Sequence, residues 1–154
     1  PIDVSKVVDL GRIAAEVVEH LAPWATKRRG IVAFEGCQAP VLVRGNPDAL
    51  GDAIRNLLEN AIVHCPNGGE VTVRVTEGGS VSVIDNGPGV RPEHREKIFE
   101  RFWRSRERRS SGLGAGLGLS IVAEIARAHG GNISVTGAAG GGAHFILDVP
   151  KAPG

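Results

Sequence analysis

From Gly112 to Leu119 every second residue is glycine, and the run leads straight into an apolar-periodic segment with Leu119, Ile121, Val122, Ile125 and Ala126. Alternating glycines bare successive backbone N–H groups, and the start of a helix adds its dipole, so such a junction suits an anion. A flexible linker is the competing reading of the same residues. No Gly-Lys-Ser/Thr follows as in a Walker loop, and the GxGxxG spacing of a dinucleotide fold is missing. Glycine is also abundant overall: 22 in 154 residues, roughly double the ordinary share of about 7%. The surplus bunches at 87–89, 112–118 and 130–142.

The apolar pattern around these clusters predicts a mixed domain. From Ser5, the positions Val7, Val8, Ile13, Ala14, Val17, Val18 and Leu21 recur at three- and four-residue steps and predict a helix. Pro23 stands near its predicted end, before Ile31. Short strands are expected at 31–35 and 41–44, and Asn46-Pro47 reads as the cap and first turn of a second helix reaching about His64. Val71, Val73, Val75 and then Val81, Val83 alternate with polar residues around Glu77-Gly78-Gly79-Ser80, a β-hairpin. A short helical piece is expected near 92–99, a third helix from about Gly116 to His129, and strands at 133–136 and 143–149. The order gives one mixed sheet with helices on one face. Gly130 and Gly131 read as a helix stop, and Gly140 to Gly142 as a plain hairpin turn without a chemical role.

Bulk properties mainly exclude. The length suits one domain, and 42% hydrophobic with 23% charged residues argues against disorder. A formal charge of +1 gives no global reason to expect nucleic acid or an acidic membrane. No apolar run reaches the roughly 18 residues of a membrane span. The chain begins at Pro1 without a leader, as a fragment of a longer protein would. Cys37 and Cys65 alone make no disulfide framework or zinc site and favour a reducing compartment.

Three further groups can carry chemistry. Asn56 and Asn60, four apart on a helix, present two neutral amide oxygens of the kind that Mg²⁺ accepts alongside phosphate and water; as solvated helix residues they would do nothing. Asp85, at a strand end before Asn86-Gly87-Pro88-Gly89, can accept from the amino group of a base, or belong to an ordinary turn. Phe99, Phe102 and Trp103 punctuate a run with Arg101, Arg104, Arg106, Arg108 and Arg109. That stretch fits a lid over a nucleotide as well as a surface for single-stranded nucleic acid.

Together and in this order, the groups resemble the catalytic, ATP-binding domain of sensor histidine kinases, in the superfamily that also holds DNA gyrase, Hsp90 and MutL. Asn56-Leu57-Leu58-Glu59-Asn60-Ala61 resembles the N box, Asp85-Asn86-Gly87-Pro88-Gly89 the G1 box, Phe99-Glu100-Arg101-Phe102 the F box and Gly114-Ala115-Gly116-Leu117-Gly118-Leu119 the G2 box. The resemblance covers nearly the whole chain. It implies an α/β (α+β) two-layer sandwich of the Bergerat type, with a mixed, mostly antiparallel sheet of about five strands on three helices.

The resemblance also implies roles. Asn60, with Asn56, would hold the Mg²⁺ that bridges the phosphates of ATP, and Asn60 and Arg104 would serve the transfer itself. Asp85 would accept from the adenine amino group, with Gly87 and Gly89 shaping its pocket. Gly114, Gly116 and Gly118 would form the hinge and phosphate-facing edge of the lid, with Leu117 beside them, and Trp103 takes the place of a frequent Tyr. Val63 stands where the N box often carries Lys or Arg, and His64 would partly replace that contact. Gyrase-like ATPases and anti-sigma-factor serine kinases carry Glu at the position of Asn56; a histidine acceptor needs no such base, because neutral imidazole is already nucleophilic. Glu59 cannot share the face of Asn60.

The implied function is transfer of the γ-phosphoryl group of Mg-ATP to a histidine on a separate dimerisation domain, and onward to a response regulator. None of His20, His94, His129 and His144 has the context of a phosphoacceptor. Nucleic acid and membrane contact are not expected, and the location implied is cytoplasmic, with a parent protein anchored in the inner membrane. A degenerate nucleotide-sensing or interaction domain, and another ATPase or protein kinase of the superfamily, are the alternatives.

Overall fold

The computed structural model describes residues 1–103 and 118–153. It begins with strand β1 (Val7–Asp9), which passes directly into helix α1 (Leu10–Lys27). Strands β2 (Ile31–Glu35) and β3 (Leu42–Arg44) precede helix α2 (Pro47–His64). The hairpin β4 (Glu70–Val75) and β5 (Ser80–Ile84) follows, then 3₁₀ turns at Pro92–His94 and Lys97–Phe99. Helix α3 (Gly118–Ala128) and the strands β6 (Asn132–Gly137) and β7 (Ala143–Asp148) complete it.

Five strands form one sheet in the order β2-β4-β5-β7-β6. Only β2 and β4 pair in parallel, so α2 lies in the crossover between them. Val71, Val73 and Val75 point to the core with Val81, Val83, Phe145 and Leu147, all buried. The α1 stripe Leu10, Ala14, Val18, Leu21 and Ala25 and the α2 stripe Leu50, Ile54, Leu57, Leu58 and Ala61 close that core from one side. The fold is therefore the expected two-layer α/β sandwich, with a mostly antiparallel five-stranded sheet.

Two expectations need correction. Val7 and Val8 do not open α1: they pair antiparallel with Arg44 and Val43, and Asp9 caps the helix instead, its Oδ1 accepting from Gly11 N–H at 3.0 Å and Val41 N–H at 3.0 Å. For the same reason β3 joins a separate two-stranded ribbon rather than the main sheet. Helix α1 ends at Lys27, before Ile31 as expected, with Pro23 inside its last turns at an exposed position. Helical periodicity and a half-buried strand share a two-residue overlap at Val7-Val8, and only the partner strand decides between them.

Topology then fixes which ends meet. Since α2 runs against β2 and β4, its last turn arrives where β4 begins. The register Thr72 to Ile84 and Ile84 to His144 brings the end of β5 and the start of β7 to the same edge. Helix α3 starts there as well and ends at the opposite edge, where His129 meets Asn46.

Candidate functional site

The last turns of α2 form the floor of that edge. Asn60 is 7% exposed, the one polar residue among the buried positions of the helix. His64 donates from Nδ1 to the Asn60 carbonyl at 2.8 Å, which holds its ring along the helix. One turn before Asn60, the Asn56 amide donates from Nδ2 to the Asp52 carbonyl at 2.8 Å. That bond turns Oδ1 toward the start of α3, where a Cβ added to Gly118 would lie 3.0 Å from it. Glycine at 118 thus lets the backbone at the head of α3 approach an amide oxygen of α2 closely. Glu59 and Val63 are half-buried on the neighbouring positions.

Asp85 follows the end of β5 and is 5% exposed. Its Oδ1 accepts two backbone N–H groups, from Gly87 at 2.9 Å and from Ala143 at 3.2 Å. Oδ2 takes neither of these bonds, so the carboxylate keeps one oxygen for a further donor. Gly87 is pressed against α2: a Cβ there would overlap the His64 carbonyl oxygen. Gly89, at φ +77°, adopts a conformation that suits glycine, and a Cβ on it would lie 2.9 Å from the Gly141 carbonyl oxygen. Asp85, Gly87, Gly89, Asn56, Asn60, His64 and Gly118 are accordingly gathered at one edge of the sandwich.

The aromatic stretch divides. Phe99 packs edge-on against core Phe145, with centroids 6.2 Å apart, beside buried Ile98. Trp103 lies against His94 at 4.9 Å, while Phe102 is 61% exposed at φ +65°, with the Arg101 guanidinium 5.3 Å over its ring. Arg104, Gly114, Gly116 and Leu117 lie outside the described residues.

Comparison with known proteins decides the family. Residues 45–153 match the family model described as histidine kinase-, DNA gyrase B-, and HSP90-like ATPase. The chain belongs to this ATPase family. Within it, the chain is 37% identical over 148 residues to the signal transduction histidine-protein kinase/phosphatase MprB of Mycolicibacterium vanbaalenii, covering 90% of this chain and 30% of that protein. It is 36% identical over 165 residues to the sensor protein ChvG of Rhizobium meliloti, covering 97% of this chain and 29% of that protein. The solved structure of a mycobacterial sensor histidine kinase MprB superposes with a TM-score of 0.81 at 31% identity, covering 98% of this chain and 100% of that one. The catalytic domain of histidine kinase ThkA superposes with a TM-score of 0.83 at 28% identity, covering 96% and 98%. The chain thus spans about three-tenths of the length of these curated relatives, and corresponds to the catalytic ATP-binding domain of a sensor histidine kinase.

Sequence reasoning missed part of this histidine-kinase-type domain's edge. Gly140 and Gly141 do form the open hairpin turn, but Gly142 does not behave as a plain turn residue: a Cβ there would overlap the Asp85 carbonyl oxygen. Gly69 is equally enclosed, by Cys65 Sγ and by Asn86 Oδ1 at 2.7 Å from its added Cβ. Cys65 donates to Asn86 Oδ1 at 3.2 Å, and its pKa is raised, first by burial and then by the Asp85 charge. Nothing local to 140–142 or 65–69 signals these contacts, because they depend on strands brought together from distant sequence.

The residues present fit a magnesium nucleotide. A buried amide (Asn60), a second amide oxygen aimed at a helix start (Asn56) and a carboxylate with one oxygen spared (Asp85) supply hard donors and an acceptor on one edge. Mg²⁺ needs only one or two protein ligands when phosphates complete its shell. Among the described residues, no group of three or more His, Cys, Asp and Glu is placed to hold a metal by itself, so amide oxygens are the donors offered here. No helix among them is long and apolar enough to cross a membrane.

Proposed function

We propose that this chain, as one domain, binds Mg-ATP and delivers its γ-phosphoryl group to a histidine on a separate dimerisation domain of the parent kinase, from which a response regulator is served. The observation that carries the reading is the Asp85 carboxylate, with Oδ1 taken by two backbone donors and Oδ2 spared, in a loop whose Gly87 lies against the last turn of α2. An adenine amino group supplies the donor that this oxygen lacks. A related protein, full-length ShkA, was solved in complex with AMPPNP and is 32% identical with a TM-score of 0.76, which supports a nucleotide as the ligand class.

In this reading Asn60, with Asn56, holds Mg²⁺, which neutralises phosphate charge when bound. Gly87 and Gly89 keep the base pocket free of side chains. Gly118 opens α3 toward the phosphates, so that its first N–H groups and dipole favour negative charge. His64 would add a contact to the phosphates, and the roles that the resemblance implies for Arg104, Gly114, Gly116 and Leu117 fall outside the described residues. Asn56, rather than a carboxylate, stands four residues before Asn60, so the domain carries no base there to activate water. That fits an acceptor already nucleophilic as neutral imidazole. Catalysis is then positioning and charge neutralisation.

A magnesium-dependent titration of the 154-residue chain with ATP or ADP tests the binding step. Saturable binding is expected, with no radiolabel transferred from γ-labelled ATP to the chain itself. Absence of binding at millimolar nucleotide would sink the proposal. Mixing the chain with the histidine-bearing helical domain of its parent should then give labelled partner. A nucleotide-sensing domain would bind yet transfer nothing.

A further inference from the structure

The last rung between β5 and β7 is irregular in a way that bears on Asp85. Beyond the pair Ile84 and His144, Asp85 N–H donates to the Ala143 carbonyl at 2.9 Å, as a ladder requires. The return bond does not go to the Asp85 carbonyl. Ala143 N–H is instead bonded to the side-chain Oδ1 at 3.2 Å. The Asp85 carbonyl oxygen is turned against the Cα of Gly142, so closely that any Cβ there would overlap it, and the same Cβ would lie 2.5 Å from the Asp85 carbonyl carbon and 2.7 Å from the Asn86 Cα. Gly142 has no φ in the left-handed region, so its backbone would accept alanine. What keeps it glycine is the approach of the Asp85 backbone. Gly141, next to it, also borders Gly89 of the Asp85 loop.

From this we infer that Gly142 and the Ala143 amide are positioning residues for base recognition: they swap a backbone acceptor for the Asp85 carboxylate in the final rung and thereby present Oδ2 to the amino group of a purine. Two N–H donors on Oδ1 fix the carboxylate against rotation. The atom left over accepts only. A base with an amino group at that position is bonded, whereas one bearing a carbonyl oxygen or a hydrogen there is not. Gly142 and Ala143, remote in sequence from the other binding residues, therefore contribute to selectivity by holding Asp85 rather than by touching the ligand. This inference rests on the nucleotide reading proposed above.

The test measures magnesium-dependent affinity of the 154-residue chain for ATP and for purine riboside triphosphate, which lacks the amino group. Five proteins are compared: wild type, Gly142→Ala, Gly140→Asn, Asp85→Asn, and Asp85→Asn combined with Gly142→Ala. Gly140 has no atom within 4 Å of its added Cβ and sits at φ +87°, which Asn tolerates, so Gly140→Asn should bind like wild type. Gly142→Ala should bind ATP at least about tenfold more weakly, the scale of one bond to a charged group, while its affinity for the amino-free analogue changes less than about twofold on that same scale. In the Asp85→Asn background the same substitution should add nothing.

Equal losses for both nucleotides, or a full further loss without Asp85, would overturn the inference. If Gly142→Ala does not fold, amide hydrogen exchange in Asp85→Ala decides instead. Ala143 should exchange at least about tenfold faster than in wild type while Phe145 and Leu147 keep their protection. Unchanged Ala143 would overturn it. Failure of wild type to bind ATP at all would refute the nucleotide reading itself, a result separate from any of these.

Discussion

Each end of α2 brings an asparagine and a histidine together, Asn46 with His129 from the end of α3 at one and Asn60 with His64 at the other, but the two ends differ in what lies beside the pair. At the N-terminal end, Asn46 caps the helix through Oδ1 to Ala49 N–H at 3.0 Å. Its own N–H donates to His129 Nε2 at 3.0 Å, while His129 Nδ1 donates to the Ile125 carbonyl at 2.7 Å. The bonds tie the end of α3 to the start of α2. Every polar atom named there is spent inside the protein. At the C-terminal end, Asn60, His64 and nearby Asp85 are also buried or half-buried, but glycines rather than side chains crowd them, and Asp85 spares an oxygen. One end stores stability and the other leaves room for a ligand. Burial alone does not tell them apart; the accounting of donors and acceptors does.

Substitutions can break or sharpen this contrast. The largest effect is expected from Asp85→Asn, which presents an amide in place of the accepting carboxylate: ATP affinity should fall by about 100-fold, or ~2.7 kcal/mol, by calorimetric titration. His129→Ala at the other end should do the reverse. It removes two hydrogen bonds and a buried ring, costing about 2 kcal/mol in chemical denaturation while ATP affinity stays within about twofold. Asn46→Ala should cost about 1 kcal/mol by the same measurement, the value of an N-cap. If either N-terminal substitution weakened ATP binding as much as Asp85→Asn, the division would collapse.

The smallest expected effect lies on the face of the sheet turned away from α2. There His144 Nε2 meets Ser82 Oγ at 2.8 Å, and its pKa is lowered, first by burial and then by the Arg74 charge. A histidine that protonates less readily when folded makes the unfolded chain bind the extra proton. Stability should therefore fall as pH drops below about 6.5, the unfolded value, and level off above it. Melting temperatures of wild type and His144→Gln between pH 5 and 8 should differ in this acid decline by about 1 °C. An identical decline would remove His144 from the account.

Much of the fold was legible because its signals are local. Asn46-Pro47 marks the start of α2, the alternation of Val71 to Val83 marks the β4–β5 hairpin, and Gly130-Gly131 marks the end of α3. The candidate site was legible where its residues sit in short boxes: Asn56 with Asn60, and Asp85 with Gly87 and Gly89. What failed was what needs a partner. Val7 and Val8 fit a helix until β3 pairs with them, and β3 fits the main sheet until β1 claims it.

Sequence by itself determined most of the elements and the order of the four boxes, since each element and each box rests on residues within a few positions of one another. Only the tertiary structure decided that Gly142 and Ala143 belong with Asp85, 57 and 58 positions earlier in the chain, and that His129 completes the cap of α2, 83 positions before it. The reason is physical. A hydrogen bond or a close backbone approach between distant strands leaves no periodicity in either of them, so it exists only once the sheet has brought the two chains of atoms to the same edge.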